Sequence, residues 1–91
     1  MVESILCTNI PIQIISFTDT DGKVTPMRFR FTDRDGTQVT VNIERIVSTD
    51  RKPKNFGTNY ECSATVCGVS KRFSLYYSGL TGAWMLSRIE Q

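Results

Sequence analysis

Histidine is missing from all 91 residues. That gap removes the commonest general base, the Ser-His and Cys-His nucleophile arrangements and the histidine-containing zinc sites. Cysteine does not make up for it. The chain has three, Cys7, Cys62 and Cys67, one short of a four-thiolate zinc site and an odd, sparse number for a disulfide framework. Glycine-rich phosphate loops, a GxSxG elbow and an SxxK pair are absent as well. A carboxylate- or lysine-based enzyme has no positive signal. The expectation is a non-enzymatic protein with no catalytic residues, no metal and no cofactor.

Long apolar runs are also lacking. No stretch approaches the roughly 18 apolar residues a membrane helix needs. The opening MVESILCTNI has neither the basic segment nor the apolar run of a signal peptide. With so few cysteines, the expected setting is the reducing cytoplasm, away from membranes. Charge of either sign is modest: a net +2 is too weak by itself to imply nucleic acid or an anionic membrane. At 40% hydrophobic and 22% charged residues, the composition is that of an ordinary folded chain. Its length fits one domain over 1–91, with 1–10 as an irregular or edge-strand arm.

What the sequence does have is period-two alternation, the signature of half-buried strands. It predicts strands over 12–18, 26–32, 38–48, 59–66, 69–77 and 84–90, joined by short turns. Residues 51–59 (RKPKNFGTN) read as an exposed basic loop, and 2–10 either add a short strand or cover a face. The fold class is all-β: a six-stranded antiparallel meander forming a partly open barrel or a strongly bent sheet. Its expected core is Met27, Phe29, Phe31, Val39, Val41, Ile43, Tyr60, Cys62, Ala64, Phe73, Leu75 and one side of 84–89. Arg45 breaks strict alternation, which a β-bulge near Glu44–Arg45 would repair.

Two copies of one short pattern, TDTDG at 18–22 and TDRDG at 32–36, suggest either calcium loops or hairpin turns. An EF-hand loop needs a carboxylate at its first position and a glutamate at its twelfth. Here those positions hold Phe17 and Arg28 in one copy, Phe31 and Asn42 in the other. The turn reading is the stronger. A three-residue loop ending in Gly36 places Phe31 opposite Val39, Phe29 opposite Val41 and Met27 opposite Ile43. The same loop ending in Gly22 places Phe17 opposite Thr25 and Ile15 opposite Met27. A two-residue Cys67-Gly68 turn pairs Cys62 with Phe73 and Tyr60 with Leu75. All three turns then serve one apolar face.

Three features bear on function. In this register Ile14 lies opposite Arg28 and Ile12 opposite Arg30, on an otherwise polar outer face. Isoleucines there need cover, either from their own chain or from a second copy, so Ile12, Ile14, Arg28 and Arg30 are candidate interface residues. Arg51, Lys52 and Lys54 cluster beside Phe56 and Tyr60, and Lys71 and Arg72 follow on a later strand. Basic residues with stacking rings are what small single-strand-binding barrels use, although nearby acids and the low net charge also suit a merely solvated loop. Cys62 reads as a core residue and Cys67 as an exposed turn residue, where Lys71 and Arg72 offer only thin support for thiol activation.

The segments PMRFRF (26–31), DRDG (33–36), VNIERIV (41–47), YEC (60–62), CGVSKRFSLYY (67–77) and WML (84–86) resemble a group of small uncharacterised proteins from Firmicutes. The resemblance implies a bacterial cytosolic protein and carries over no activity, ligand or catalytic residue. The functional expectation is an interaction module, self-associating as a homodimer or binding another protein. The alternative is a small β-barrel that binds single-stranded nucleic acid.

Overall fold

The computed structural model describes residues 5–32, 35–52 and 56–90, and within them the side chains of all but 5–8, 52 and 90. Every regular element among these is a strand: β1 (Ile5–Pro11), β2 (Gln13–Thr18), β3 (Val24–Thr32), β4 (Gln38–Asn42), β5 (Arg45–Lys52), β6 (Gly57–Val66), β7 (Val69–Ser78) and β8 (Trp84–Glu90). All pairings are antiparallel. They form a five-stranded sheet in the order β1-β8-β7-β6-β5 and a three-stranded sheet in the order β2-β3-β4. The expected all-β antiparallel class is correct. The expected six strands in one meander are not: the described residues form eight, in two open sheets.

One extra strand, β1, is the short strand that 2–10 offered as an alternative to covering a face, and the other comes from the splitting of the expected 38–48 strand; a sheet-switching bend lies at each place. At Ile12 the chain leaves β8, with the Ile12 amide donating to the Trp84 carbonyl at 3.2 Å; the next residue, Gln13, already pairs with Arg30 of β3. At Ile43–Glu44 the switch takes a single step. The Ile43 amide donates to Met27 of the small sheet and the Glu44 amide to Ser63 of the large one. Strands that turn corners between packed sheets keep one face inward on both sides of the bend. At Ile43–Glu44 the alternation therefore runs on through the switch, and 38–48 reads as one strand.

The turns set the register. Asp19 and Lys23 close the first loop, with Gly22 in the left-handed region at φ 83° and the Asp19 carboxylate accepting from the amides of Asp21 and Lys23, both at 2.9 Å. The aspartate thus serves the turn itself. Phe31 pairs with Val39 and Phe29 with Val41, as the second loop requires, though residues 33 and 34 lie outside the described ones. Cys67 and Gly68, at φ 52° and 81°, make the two-residue turn that pairs Cys62 with Phe73 and Tyr60 with Leu75.

Phe29, Val41, Tyr60, Cys62, Ala64, Val66, Phe73, Leu75, Trp84, Leu86 and Ile89 form the buried core, and Ile12, Ile14, Phe31, Val39 and Ile43 pack against it. Phe29 meets Phe73 across the layers at 5.2 Å between ring centroids. Burying side chains of this size is worth roughly 1.5–3 kcal/mol each.

Met27 is the exception, at 51% exposed. Ile15 pairs with Arg28 but Ser16 pairs with Pro26, so Met27 is an extra residue bulged out of β3. The bulge overturns the expected pairs beyond it: Ile15 does not face Met27, and Ile14 faces Phe29, not Arg28. Bulges redirect two other side chains. In β8 the register slips between Leu86 and Arg88; strict alternation from Trp84 would turn Arg88 inward, and the slip at Ser87 instead buries Ile89. In β5 the extra residue is Val47, between Ile46 and Ser48, rather than Glu44–Arg45 as expected.

Candidate functional site: a cleft between the sheets

The small sheet covers only part of the large one. Phe29 lies over Phe73. Farther along the same strand Val24 lies over Tyr60, whose hydroxyl donates to the Val24 carbonyl at 2.5 Å. Beyond that point the inner face of the large sheet continues with no strand of the described residues above it. Thr58 pairs with both Arg51 and Tyr77, so these three side chains share the inner face. The result is a half-open cleft of about 720 Å³. Its base is Tyr60, Tyr77, Thr49 and Thr58, and its walls are the 21–24 turn on one side and Phe56, Gly57 and Gly79 on the other. That volume suits a ligand of small-molecule or short-segment size.

Two of the four base residues are aromatic and are packed from behind. Trp84 stacks on Tyr60 at 5.4 Å and packs against Tyr77 at 4.8 Å. Burial raises the Tyr60 pKa, the neighbouring Tyr77 adds to the rise, and Arg51 opposes it. The phenol is therefore a neutral donor, already committed to Val24, and not a base. Phe56 stands at the mouth, 63% exposed, with its backbone at φ 52° and its carbonyl held by the Gly79 amide at 2.6 Å. Two cations, Lys23 and Arg51, and one carboxylate, Asp21, border the opening. Among the described residues neither cation is in a salt bridge; Arg88 pairs instead with Glu61 at 3.2 Å, on the opposite face of the large sheet. Glu61 also accepts from the Ser74 hydroxyl at 2.5 Å, so that face carries a cross-strand polar ladder.

The residues singled out from sequence are dispersed. Arg51 lines the cleft with Phe56 and Tyr60. Lys52 belongs to β5, not to a loop, and Lys54 lies outside the described residues. Lys71 and Arg72 are elsewhere: Arg72 pairs with Ser63, whereas Arg51 pairs with Thr58. Five residues of β6 separate these positions, roughly 17 Å at strand rise, and the odd spacing puts Arg51 and Arg72 on opposite faces. The basic residues do not form one groove. Ile12 and Ile14 pack against their own core, while Arg28 and Arg30 are exposed on the outer face of the small sheet, Arg30 donating to Gln38 at 3.1 Å. Cys62 is buried and Cys67 exposed, both free; burial, reinforced by Glu61, pushes the Cys62 thiol up to about 12. Among the described residues no group of three or more acidic or cysteine side chains could hold a metal ion.

Sequence reasoning missed Lys23, Thr49 and Tyr77. The first DG turn reads as a register device, and nothing local says that it also forms a wall of the cleft. Tyr77 carried a usable signal: it ends an inward-facing row beside a glycine turn, where a core residue has least to pack against.

No protein-family model matches the chain, and comparisons with curated proteins and with solved structures find no match either. The likeness to the Firmicutes group rests on the sequence segments alone. No helix among the described residues is long and apolar enough to cross a membrane.

Proposed function

We propose that the chain is a non-enzymatic interaction module that takes its ligand in the cleft between the sheets. The observation that carries this reading is the pairing of an ordered aromatic base, Tyr60 and Tyr77 backed by Trp84, with Lys23 and Arg51 at the opening. Rings recognise a flat or aliphatic group by area; a guanidinium and an ammonium beside them recognise an anion. The ligand class is thus an acidic partner segment or compound with an apolar part. Among the described lining residues the one carboxylate, Asp21, sits at the rim with the 21–24 turn, and the base of the cleft is aromatic and hydroxyl-bearing, which favours binding over turnover. The bacterial, cytoplasmic setting implied by the Firmicutes resemblance goes with this reading.

Trp84 is the only tryptophan in the chain and touches both cleft tyrosines, so its fluorescence reports on occupancy. A panel of carboxylate- and phosphate-bearing aromatic compounds is screened by Trp84 emission and by amide chemical shifts. Binders should move signals at Lys23, Thr49, Thr58 and Tyr77, and should weaken on Arg51→Ala but not on Arg72→Ala. Binders that map only to other faces would sink the reading.

Single-stranded nucleic acid is the second reading, supported by Arg51 beside Phe56 and Tyr77, a cation next to rings on which a base can stack. The separation of Arg72 from this group leaves a short basic track. Oligonucleotide binding at low salt that falls as salt rises and is lost on Arg51→Ala would favour it; no binding at low salt would end it.

A further inference from the structure

Each open sheet ends in two edge strands, and unpaired edges recruit other strands unless something blunts them. Three of the four edges here are blunted. β1 ends in Pro11, is irregular between Cys7 and Ile10, and has Asn9 at φ 47°. β4 is five residues long before the chain switches sheets. β5 carries Arg45, Asp50, Arg51 and Lys52 and the Val47 bulge. β2, at six residues, is little longer than β4, but it has none of the other devices. Its sequence QIISFT contains no charge, proline or glycine, is rich in strand-forming residues, and the bulge beside it belongs to β3. Along this edge Ile15 and Phe17 are 55% and 59% exposed, with Met27 pushed out next to them at 51%.

We propose that β2 is the seam of a two-fold homodimer, pairing antiparallel with β2 of a second copy so that the two small sheets become one continuous sheet. The β2 sequence selects both the occupant and the register. Centring the two-fold between Ile15 and Ser16 would oppose Ile14 to Phe17 and mix the two faces, which the pleat forbids. Centring it on Ile15 would oppose Phe17 to Gln13. Centring it on Ser16 opposes Ile15 to Phe17 of the partner subunit, twice by symmetry, with Met27 flanking. This register is self-complementary, as an isologous contact requires, and the edge offers no charge to select a foreign strand. The nearest like charges do not oppose it. Arg28 pairs with Ile15 on β3, so the two copies of Arg28 lie three strand spacings apart, roughly 14 Å, beyond the screening length of about 8 Å at physiological salt. The surface is distinct from the expected one: Ile12 and Ile14 face the core, and their neighbours Ile15 and Phe17 make the contact. The proposal is independent of the cleft reading, because it uses none of the cleft residues.

The test combines mass and register. Light scattering over a concentration series should show a dimer. Phe17→Lys should give a monomer with unchanged far-UV circular dichroism, since Phe17 is exposed, while Arg51→Ala should leave the dimer intact. In a Cys7→Ser, Cys67→Ser background, Ser16→Cys should form a covalent dimer on mild oxidation, because opposed residues of an antiparallel pair fall within disulfide reach. Thr40→Cys, on the other edge of the same sheet, should not. A monomer throughout the series, a dimer that survives Phe17→Lys, a dimer lost on Arg51→Ala, or Thr40→Cys linking as readily as Ser16→Cys would each overturn the proposal.

Discussion

The Tyr60 hydroxyl reaches across the gap between the two sheets to the Val24 carbonyl, 2.5 Å away. The bond holds the first hairpin down at the point where the two sheets begin to part. Tyr60→Phe keeps the ring stacked on Trp84 but leaves the Val24 carbonyl without its donor. The expected cost is about 1–2 kcal/mol in denaturant unfolding, with faster hydrogen exchange in β2 and β3 than in β7. Equal exchange in wild type and variant would show that the bond does not anchor the hairpin.

Alkaline pH should destabilise the protein through Cys62. Its thiol, ordinarily near 9.0, is pushed up to about 12 in the fold by burial and then by Glu61. The unfolded chain therefore releases this proton first as pH rises. The stabilisation is fully present below about pH 9 and is lost as pH climbs toward 12, at about 1.4 kcal/mol per unit. Tyr60, also raised by burial, acts in the same direction at higher pH. Unfolding free energies measured from pH 8 upward should fall less steeply in Cys62→Ala, which has no thiol to ionise. An unchanged slope would place the pH sensitivity elsewhere.

Registers and the core were largely legible in the sequence because turn chemistry and alternation are local. Gly22, Gly36 and Gly68 all adopt the positive φ their turns demand, and Phe29, Val41, Cys62 and Leu75 follow into the core. What alternation cannot show is a change of partner that leaves the inward face unchanged, and the Ile43–Glu44 step is such a change. Nor does it show a bulge whose extra residue is apolar: Met27 fits the core pattern and lies outside it. The cleft was half legible. Arg51, Phe56 and Tyr60 are near in sequence, but Lys23 and Tyr77 join them only because β3 crosses over β6 and β7.

The Cys67-Gly68 turn can be improved. Both residues lie in the left-handed region, at φ 52° and 81°, which suits asparagine or glycine and is unfavourable for cysteine by roughly 1–2 kcal/mol. Cys67→Asn should stabilise the protein by about 1 kcal/mol, a midpoint rise of about 4–8 °C for a domain of this size. Cys67→Val, β-branched at the same φ, should lower the midpoint. If both variants melt with the wild type, the turn does not limit stability.

Gly79 should control the mouth of the cleft. A Cβ at this position would fall on the Phe56 carbonyl, a backbone atom that cannot swing aside, and the Gly79 amide donates to that same oxygen at 2.6 Å. Gly79→Ala must therefore separate the two strand ends that seat Phe56. Overpacking of this kind costs about 1–3 kcal/mol, and the Gly79 amide, freed from Phe56, should exchange faster with solvent. Gly68→Ala is the comparison: its Cβ meets nothing within 4 Å, but φ is +81°, so it pays a backbone cost in a turn that does not line the cleft, while Phe56 stays in place. Both variants should melt lower than the wild type, yet only Gly79→Ala should shift the Phe56 and Tyr77 amide signals and weaken ligands that report through Trp84. If Gly68→Ala weakens them equally, the effect is global stability and not the position of Phe56.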